Sequence, residues 1–258
     1  NNLLFFASLR RIIMNKIAII IPSRLAAERL PNKPLEKINN KQMILHVHDS
    51  AIKARLGQVY VASPDQEILE IVKAHGGEAI KTKFDHKTGT DRIFEVFDKI
   101  LKRKPEIIIN LQGDMPNINS DSIKKLVDHM KKKSCDIGTL ASNLDKLIEE
   151  KDPNIVKVVT KSALKEGDFS EALDFFRINS QPLNLKTYHH IGIYGFTNKA
   201  LLRYVDLERS KLELNRKLEQ LRALENNINI NVGLIECNPL SVDTKKDLEK
   251  IKKLMKLK

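Results

Sequence analysis

Lys16-Ile17-Ala18-Ile19-Ile20-Ile21, followed at once by Pro22-Ser23-Arg24-Leu25, is the stretch on which the fold turns. Its apolar residues run without alternation, and most are β-branched. A strand half-buried in a sheet would alternate; a run of this kind reads as a central strand of a parallel sheet, covered on both faces. The basic loop after it, from Pro22 to Pro34, then lies where parallel sheets place ligands, beyond a strand's carboxyl end.

The pattern extends outward from that strand. Met43–Ala54 has helical period, Gln58–Ala62 reads as the next strand, and Pro64–His75 as a helix stopped by Gly76-Gly77. Glu78–Lys81 is a short strand, Asp91–Lys102 a helix, Glu106–Leu111 a strong strand and Ser120–Lys133 a helix. Strands alternating with helices imply a parallel sheet with helices on both faces. After Cys135 the pattern changes. Ile137–Ala141, Ile155–Thr160 and Tyr188–Phe196 read as strands, and Lys161–Thr187 has weak period. The chain then returns to a helix at Leu207–Asn226, a strand at Asn229–Glu236 and a helix at Lys245–Lys256. The expected fold class is α/β with a mainly parallel sheet. A single domain covers 14–258, with a smaller mixed insertion at about 136–200 for substrate and dimer contacts. Residues 1–13 read as an upstream extension before Met14, without the basic start of a signal peptide.

Composition narrows the class of protein. The 258 residues are 41% hydrophobic and 30% charged, within the range of globular domains, and no apolar run is long enough to span a bilayer. The core must be aliphatic, since Trp is absent and aromatics make up 5%. A formal charge of +12 raises nucleic acid as a partner. The charge is spread along predicted helices, however, and its densest runs, Lys131-Lys132-Lys133 and Lys245–Lys258, contain no aromatics; solvated helix faces are the expectation. Cys135 and Cys237 stand alone, with neither zinc-ligand spacing nor a disulfide framework, which fits a reducing cytoplasm.

Chemistry-bearing residues fall at element ends. Arg24, Arg29 and Lys33 put three cations within ten residues of the first strand's loop, suited to a triphosphate, although the loop is not a P-loop. Asn110-Leu111-Gln112-Gly113-Asp114 ends another buried strand, and a carboxylate there can hold a hard cation or cap a turn. Asp243 precedes the last helix and on its own reads as its N-cap. Thr88 and Gly89 enter a helix whose free N–H groups can hold a polar ligand. His190, Gly192 and Tyr194 share a face of a strand by its period of two. Glu219 and Arg222 read as i, i+3 neighbours on a helix, and Arg216 sits at i−3 from Glu219, where it could pair with it.

Taken in order, Pro-x-Arg-x(4)-Arg-Leu-Pro-x-Lys-Pro-Leu from Pro22, His-x-x-Gly-Thr-Asp-Arg from His86, Gln-Gly-Asp-x-Pro from Gln112, His-Ile-Gly-Ile-Tyr from His190, Leu-Glu-Gln-Leu-Arg from Leu218 and Val-Asp-Thr from Val242 resemble the CMP-Kdo synthetase (3-deoxy-manno-octulosonate cytidylyltransferase) family. The resemblance runs from about Ile17 to Lys258, with Pro153-Asn154-x-Val156-Lys157-Val158-Val159 supporting it inside the insertion. CMP-sialate synthetases share the fold and an early basic loop, but their loop differs from Arg29-Leu30-Pro31-x-Lys33-Pro34-Leu35.

The resemblance implies a Rossmann-like nucleotidyltransferase that moves CMP from CTP to the C2 hydroxyl of the sugar acid 3-deoxy-D-manno-oct-2-ulosonate (Kdo), for lipopolysaccharide synthesis. It implies that Arg24, Arg29 and Lys33 hold the CTP phosphates, that Gln112 and the loop at Thr88 and Gly89 contact the nucleotide, and that Asp114 and Asp243 bind Mg²⁺. Arg24, Lys33, Asp114 and Asp243 are the implied catalytic set; Arg177, His190, Tyr194 and Glu219 hold the sugar acid. A cytoplasmic homodimer without nucleic-acid or membrane partners is implied as well. The family usually has Ser at Ala27, Gly at Asn32, Glu at Met115, Ser at Phe176, Glu at Arg216 and Gly at Ser241. An 8-amino analogue of Kdo, a nonulosonate, or a decayed CTP-binding homologue are the alternatives that these departures raise.

Overall fold

The computed structural model describes residues 16–26, 29–132, 135–178 and 186–256. The expected extension at 1–13, Met14 and the departure at Ala27 lie outside the described residues. The chain forms two compact units, one from residues up to 124 together with 239–256, the other from 125–238. The second unit therefore takes in more chain than the stretch 136–200.

In the first unit, β1 (Ile17–Pro22) is buried at every position, as its unbroken apolar run requires. It pairs in parallel with β4 (Gln58–Ser63) on one side and β6 (Ile107–Leu111) on the other, and β5 (Glu78–Lys81) adds in parallel to β4. The order is β5-β4-β1-β6. Between β1 and β4, β2 (Lys37–Ile38) and β3 (Lys41–Gln42) form a small antiparallel ribbon before α1 (Met43–Ala54). Helix α2 (Gln66–Ala74) joins β4 to β5. The link from β5 to β6 is expected as one helix over Asp91–Lys102. It is instead α3 (Gly89–Glu95) running into a π turn, Val96–Ile100. Lys104 folds back onto the carbonyls of Phe97 and Asp98, a cation closing a helix end. The chain builds outward from β1 through β4 and β5, then returns to β1's other side with β6. The strand order reverses between β1 and β6, and such a switch point leaves a crevice beyond the strand ends.

Helix α4 (Ser120–Lys132) leads into the second unit. Its strands are β7 (Ile137–Ser142), β8 (Lys157–Thr160), β9 (Phe169–Phe176), β10 (Thr187–Thr197) and β11 (Ile230–Leu234), with the short α5 (Lys146–Glu149) after β7. β7 pairs with β10 antiparallel and β11 parallel; β9 pairs with β11 and β8, both antiparallel. β8 also pairs with the start of β10, so the pairings close into a circuit. Strand β9 lies inside the stretch of weak period. Its Glu171 and Asp174 break the apolar alternation, yet Phe169 stacks on His129 with ring centroids 3.5 Å apart. Gly233 leaves the space for that ring: a Cβ there would come within 2.2 Å of Phe169.

Helix α6 (Asn198–Val205), capped by Thr197, follows β10. The helix expected over Leu207–Asn226 is two pieces: α7 (Lys211–Arg216), capped by Ser210, and α8 (Leu221–Glu225), which follows a turn. Lys217 takes the left-handed conformation, φ 54°, and ends α7. Glu219 is therefore in the turn rather than on a helix shared with Arg222. The last helix, α9 (Lys245–Lys256), belongs to the first unit and agrees with its expected span.

Candidate active site

The switch point of the first unit gathers the cationic loop and two carboxylates. Lys33 Nζ lies 3.0 Å from Asp114 Oδ2 and 3.0 Å from Asp243 Oδ1, and Arg29 reaches Asp243 Oδ2 at 3.0 Å. Burial works against the Lys33 charge. The charges and hydrogen bonds of Asp114 and Asp243 outweigh it, so the ammonium is held above the usual lysine pKa.

Apolar neighbours of the charged residues bring these distant segments together. Leu30, next to Arg29, packs with Ile38, Met43, Val242, Leu248 and Ile251. Val242, next to Asp243, also donates its N–H to the carbonyl of Asp114 at 2.9 Å. The segment before it is tied down where Leu240 N–H donates to Asn117 Oδ1 at 2.9 Å. Lys33 begins a short 3₁₀ turn, and Asn32 before it stands at φ 59°, ψ 17°. That left-handed conformation explains why the related family uses Gly there and why Asn, which tolerates it, can replace Gly.

Both carboxylates are released from capping. Thr244 and Asp247 form their own capping box at α9: Thr244 N–H donates to Asp247 Oδ2 at 2.9 Å, and Asp247 N–H to Thr244 Oγ1 at 3.2 Å. Asp243 is thus not the cap. At α4, Asn119 Oδ1 accepts from Asp121 N–H at 3.0 Å, which leaves Asp114 out of that helix start too. Gly113 beside it keeps the site close-packed: a Cβ there would sit 3.2 Å from the Pro22 carbonyl oxygen and 3.3 Å from Ile44, so a side chain would push these neighbours back by a few tenths of an ångström.

The remaining nucleotide candidates lie along the same strand ends. Thr88 caps α3 in a box with Asp91. Gly89 faces Pro22 and the Gln112 amide, and Gln112 donates to Asn110 Oδ1 at 3.1 Å. Arg24 is exposed and forms no ion pair among the described residues. Asp65 is a positioning residue that the sequence reading passed over: its Oδ2 accepts from Leu25 N–H at 2.7 Å and pins the basic loop. Its place just after β4 is the signal that could have found it.

The sugar candidates all belong to the second unit. A two-residue bulge in β10 between Ile191 and Tyr194 keeps His190 and Tyr194 on one face, with ring centroids 5.4 Å apart. Thr139 Oγ1 gives its proton to the Ile193 carbonyl at 2.7 Å and so accepts from His190 Nε2 at 3.0 Å. Burial, with the charges of His189 and Arg177, brings His190 down to about 3, so its ring is neutral. Burial and then Glu219 and Tyr204 raise Tyr194. Arg177 donates to the carbonyls of Asn154 at 2.9 Å and Pro153 at 3.2 Å.

Arg216 does not pair with Glu219. Helix α7 ends at Arg216, which turns to Asp174 Oδ1 at 2.6 Å and the Phe175 carbonyl at 2.9 Å. Arg222 likewise binds Glu213, at 2.7 and 2.8 Å. A cavity of about 270 Å³ is lined by Asp174, Phe176, Arg177, Ile178 and Arg216, so two guanidinium-bearing residues share it. Of the other departures, Met115 is buried at 2% exposure, where an apolar side chain is at home, and Ser241 is exposed.

Comparison with known proteins identifies the family. A family model described as cytidylyltransferase matches residues 18–230. The chain is 42% identical over 241 residues to the 3-deoxy-manno-octulosonate cytidylyltransferase of Brucella anthropi, covering 93% of this chain and 96% of that protein. It is equally 42% identical to the Brucella ovis protein of the same name, over 91% of this chain and 94% of that one. A solved CMP:2-keto-3-deoxy-manno-octonic acid synthetase complexed with CTP superposes with a TM-score of 0.84 at 36% identity, covering 94% of this chain and 99% of the other. A Leptospira borgpetersenii cytidylyltransferase, at 16% identity and a TM-score of 0.63, shares the fold.

Proposed function

This chain belongs to the cytidylyltransferase family, and from that premise we propose that it transfers CMP from CTP to the C2 hydroxyl of Kdo, releasing pyrophosphate. The observation that carries the proposal is the meeting of Asp114 and Asp243 on one ammonium at the sheet's switch point. Two hard oxygen donors that already hold a cation between them fit Mg²⁺, and these two residues would be its protein ligands. Bound there, Mg²⁺ supplies positive charge to phosphate oxygens.

The chain's own contribution to the reaction is positional and electrostatic. The sugar hydroxyl attacks the α-phosphorus in line with the departing pyrophosphate, and negative charge spreads over the transferring oxygens. Lys33, Arg29 and Arg24 offset that charge. Lys33 exchanges its carboxylate partners for phosphate oxygens when the nucleotide arrives. Gln112, Thr88 and Gly89 seat the nucleotide beyond the ends of β1 and β6. For the sugar, Arg177 supplies the cation for its carboxylate. His190, uncharged, serves as a hydrogen-bonding group, with Tyr194 and Glu219 taking hydroxyls. Action as a homodimer in the cytoplasm is part of the same proposal and draws on the sequence motifs. Among the described residues no helix is long and apolar enough to cross a membrane.

A related sugar acid is the second reading. It is favoured by the cavity around Arg177, where Phe176 and Arg216 replace the residues usual in the family. Pyrophosphate release with CTP, Mg²⁺ and Kdo, against CTP and Mg²⁺ alone, tests the main reading. A folded preparation that binds CTP yet releases none overturns it, and competition between Kdo and its 8-amino analogue separates the two sugars.

A further inference from the structure

Within the first unit, three side chains with no part in the proposed reaction converge near the end of α2. His48 and Asp49 are consecutive on α1, and His75 is the C-cap residue of α2. Asp49 Oδ1 lies 2.9 Å from His75 Nε2 and 3.6 Å from His48 Nδ1. The two rings stand edge to face with centroids 6.0 Å apart. Ligand atoms of the three residues all lie within 4.8 Å of one another.

His48 makes this more than a surface cluster. It is 4% exposed, and neither of its ring nitrogens has a hydrogen-bond partner among the described residues. Buried polar atoms are nearly always bonded, so an imidazole with two open nitrogens asks for a ligand. The Nε2 side is closed: a Cβ on Gly77 would sit 2.6 Å from it, and Val72 lies alongside. The Nδ1 side opens toward Asp49 and His75.

We propose that His48 Nδ1, Asp49 Oδ1 and His75 Nε2 form a binding site for a Zn²⁺-class transition-metal cation, separate from the Asp114–Asp243 pair. Zinc bonds of about 2.0–2.1 Å put tetrahedral ligand atoms roughly 3.3 Å apart, so on binding the 2.9 Å pair opens slightly, the 3.6 Å pair closes slightly, and the two histidine nitrogens, within 4.8 Å of each other, draw together. Two imidazoles and one carboxylate suit Zn²⁺, whereas the all-oxygen pair at Asp114 and Asp243 suits a harder ion. Three protein ligands leave a fourth position for water, on the side where Asp49 and His75 are partly exposed.

The neighbouring charges agree with this use. Lys41 Nζ holds Asp49 Oδ2 at 2.7 Å, which orients the carboxylate and leaves Oδ1 to the cluster. Burial keeps His48 below the usual imidazole pKa, so the ring offers a lone pair at neutral pH. Burial pushes Asp49 upward, but hydrogen bonds from Lys41 and His75 more than offset it and keep the group ionised. A cation at this point would tie the end of α2 to the middle of α1.

The test uses the full chain, stripped with a chelator and then titrated calorimetrically with Zn²⁺ in excess Mg²⁺. One Zn²⁺ per chain is expected, bound alike by wild type and Asp243→Asn. His75→Ala and Asp49→Asn should bind at least about a hundredfold more weakly, since even outer-shell changes cost 10- to 100-fold. Co²⁺ in place of Zn²⁺ should give the visible absorption of a tetrahedral site in wild type and not in His75→Ala. Identical Zn²⁺ titrations for wild type and His75→Ala would overturn the proposal. So would binding that is lost in Asp243→Asn and kept in the other two.

Discussion

Replacing Asp243 with Asn separates a structural counter-ion from a reacting-centre ligand, because the two roles differ in size. In the resting protein Asp243 has cationic partners among the described residues in Lys33 at 3.0 Å, with its side chain 14% exposed, and Arg29 at 3.0 Å, with its side chain 50% exposed. A pair of charges about 4 Å apart gains roughly 4 kcal/mol at an effective dielectric near 20. Asp243 is itself one-third exposed, and screening and side-chain ordering reduce such gains to about 1 kcal/mol. Lys33 keeps Asp114 in the variant, so its buried ammonium is never without a partner. The fold should therefore lose about 1 kcal/mol, a fall in Tm of roughly 2–4 °C for a chain of this size. Turnover should fall much further. Removing a direct metal carboxylate costs at least about 3 kcal/mol of transition-state stabilisation, or more than a hundredfold in kcat. Coupled-assay pyrophosphate release at saturating CTP, Kdo and Mg²⁺, read beside thermal melts, measures both. A variant that keeps kcat within about threefold of wild type would show Asp243 to be no more than the counter-ion of Lys33.

The second unit yields two further expectations and a pH dependence. His190→Ala and Arg177→Ala should raise the KM for Kdo at least about tenfold while calorimetric CTP affinity stays within roughly twofold; an equal loss of CTP affinity would refute the division of labour. Arg216→Glu would face Asp174 with a like charge in place of the 2.6 Å ion pair. It should lower stability by about 1 kcal/mol in urea melts, and Asp174→Asn should relieve most of that loss. Burial pushes Glu213 upward, but hydrogen bonds and charges from Arg222 and Arg209 more than offset this and set its folded pKa below the unfolded value. Its contribution to stability is therefore present above the ordinary carboxylate pKa and is lost as pH falls through the folded pKa. Glu213→Gln should flatten that acid limb of the pH–stability curve, and an unchanged limb would exclude Glu213 as its source.

Elements fixed by local signals could be read from sequence. The unbroken apolar run at β1, the period of α1, and the Gly76-Gly77 stop after α2 needed no tertiary information. The site's first half was legible for a related reason, since Lys33 and Asp114 follow buried strands or their loops, where a parallel sheet presents ligands. That Asp243 joins them depends on the Val242 backbone hydrogen bond to Asp114 and on the packing of Leu30 with Val242, which no local pattern encodes. The second unit was harder. β9 carries charges three residues apart, out of step with a strand's period of two, because Asp174 answers Arg216 and Glu171 answers Lys161. Helices α7 and α8 read as one because Lys217 adopts a left-handed conformation without being Gly. The Ser210-x-x-Glu213 capping box was, however, in plain view in the sequence.

The first unit is assembled from two stretches of chain, and this bears on how the protein is made. During synthesis, Leu30, Ile38 and Met43 leave the ribosome long before Val242, Leu248 and Ile251, which complete their cluster. All of residues 125–238, whose β7–β10 and β7–β11 pairings lie within that unit, are translated in between. The nascent first unit waits with an apolar groove uncovered, the condition in which partly built domains need chaperones or risk association. Lys33 and Asp114 wait as well, so a stalled or prematurely released chain has the cationic loop without Asp243. Incomplete products thus lack the second carboxylate and cannot consume CTP by the proposed reaction.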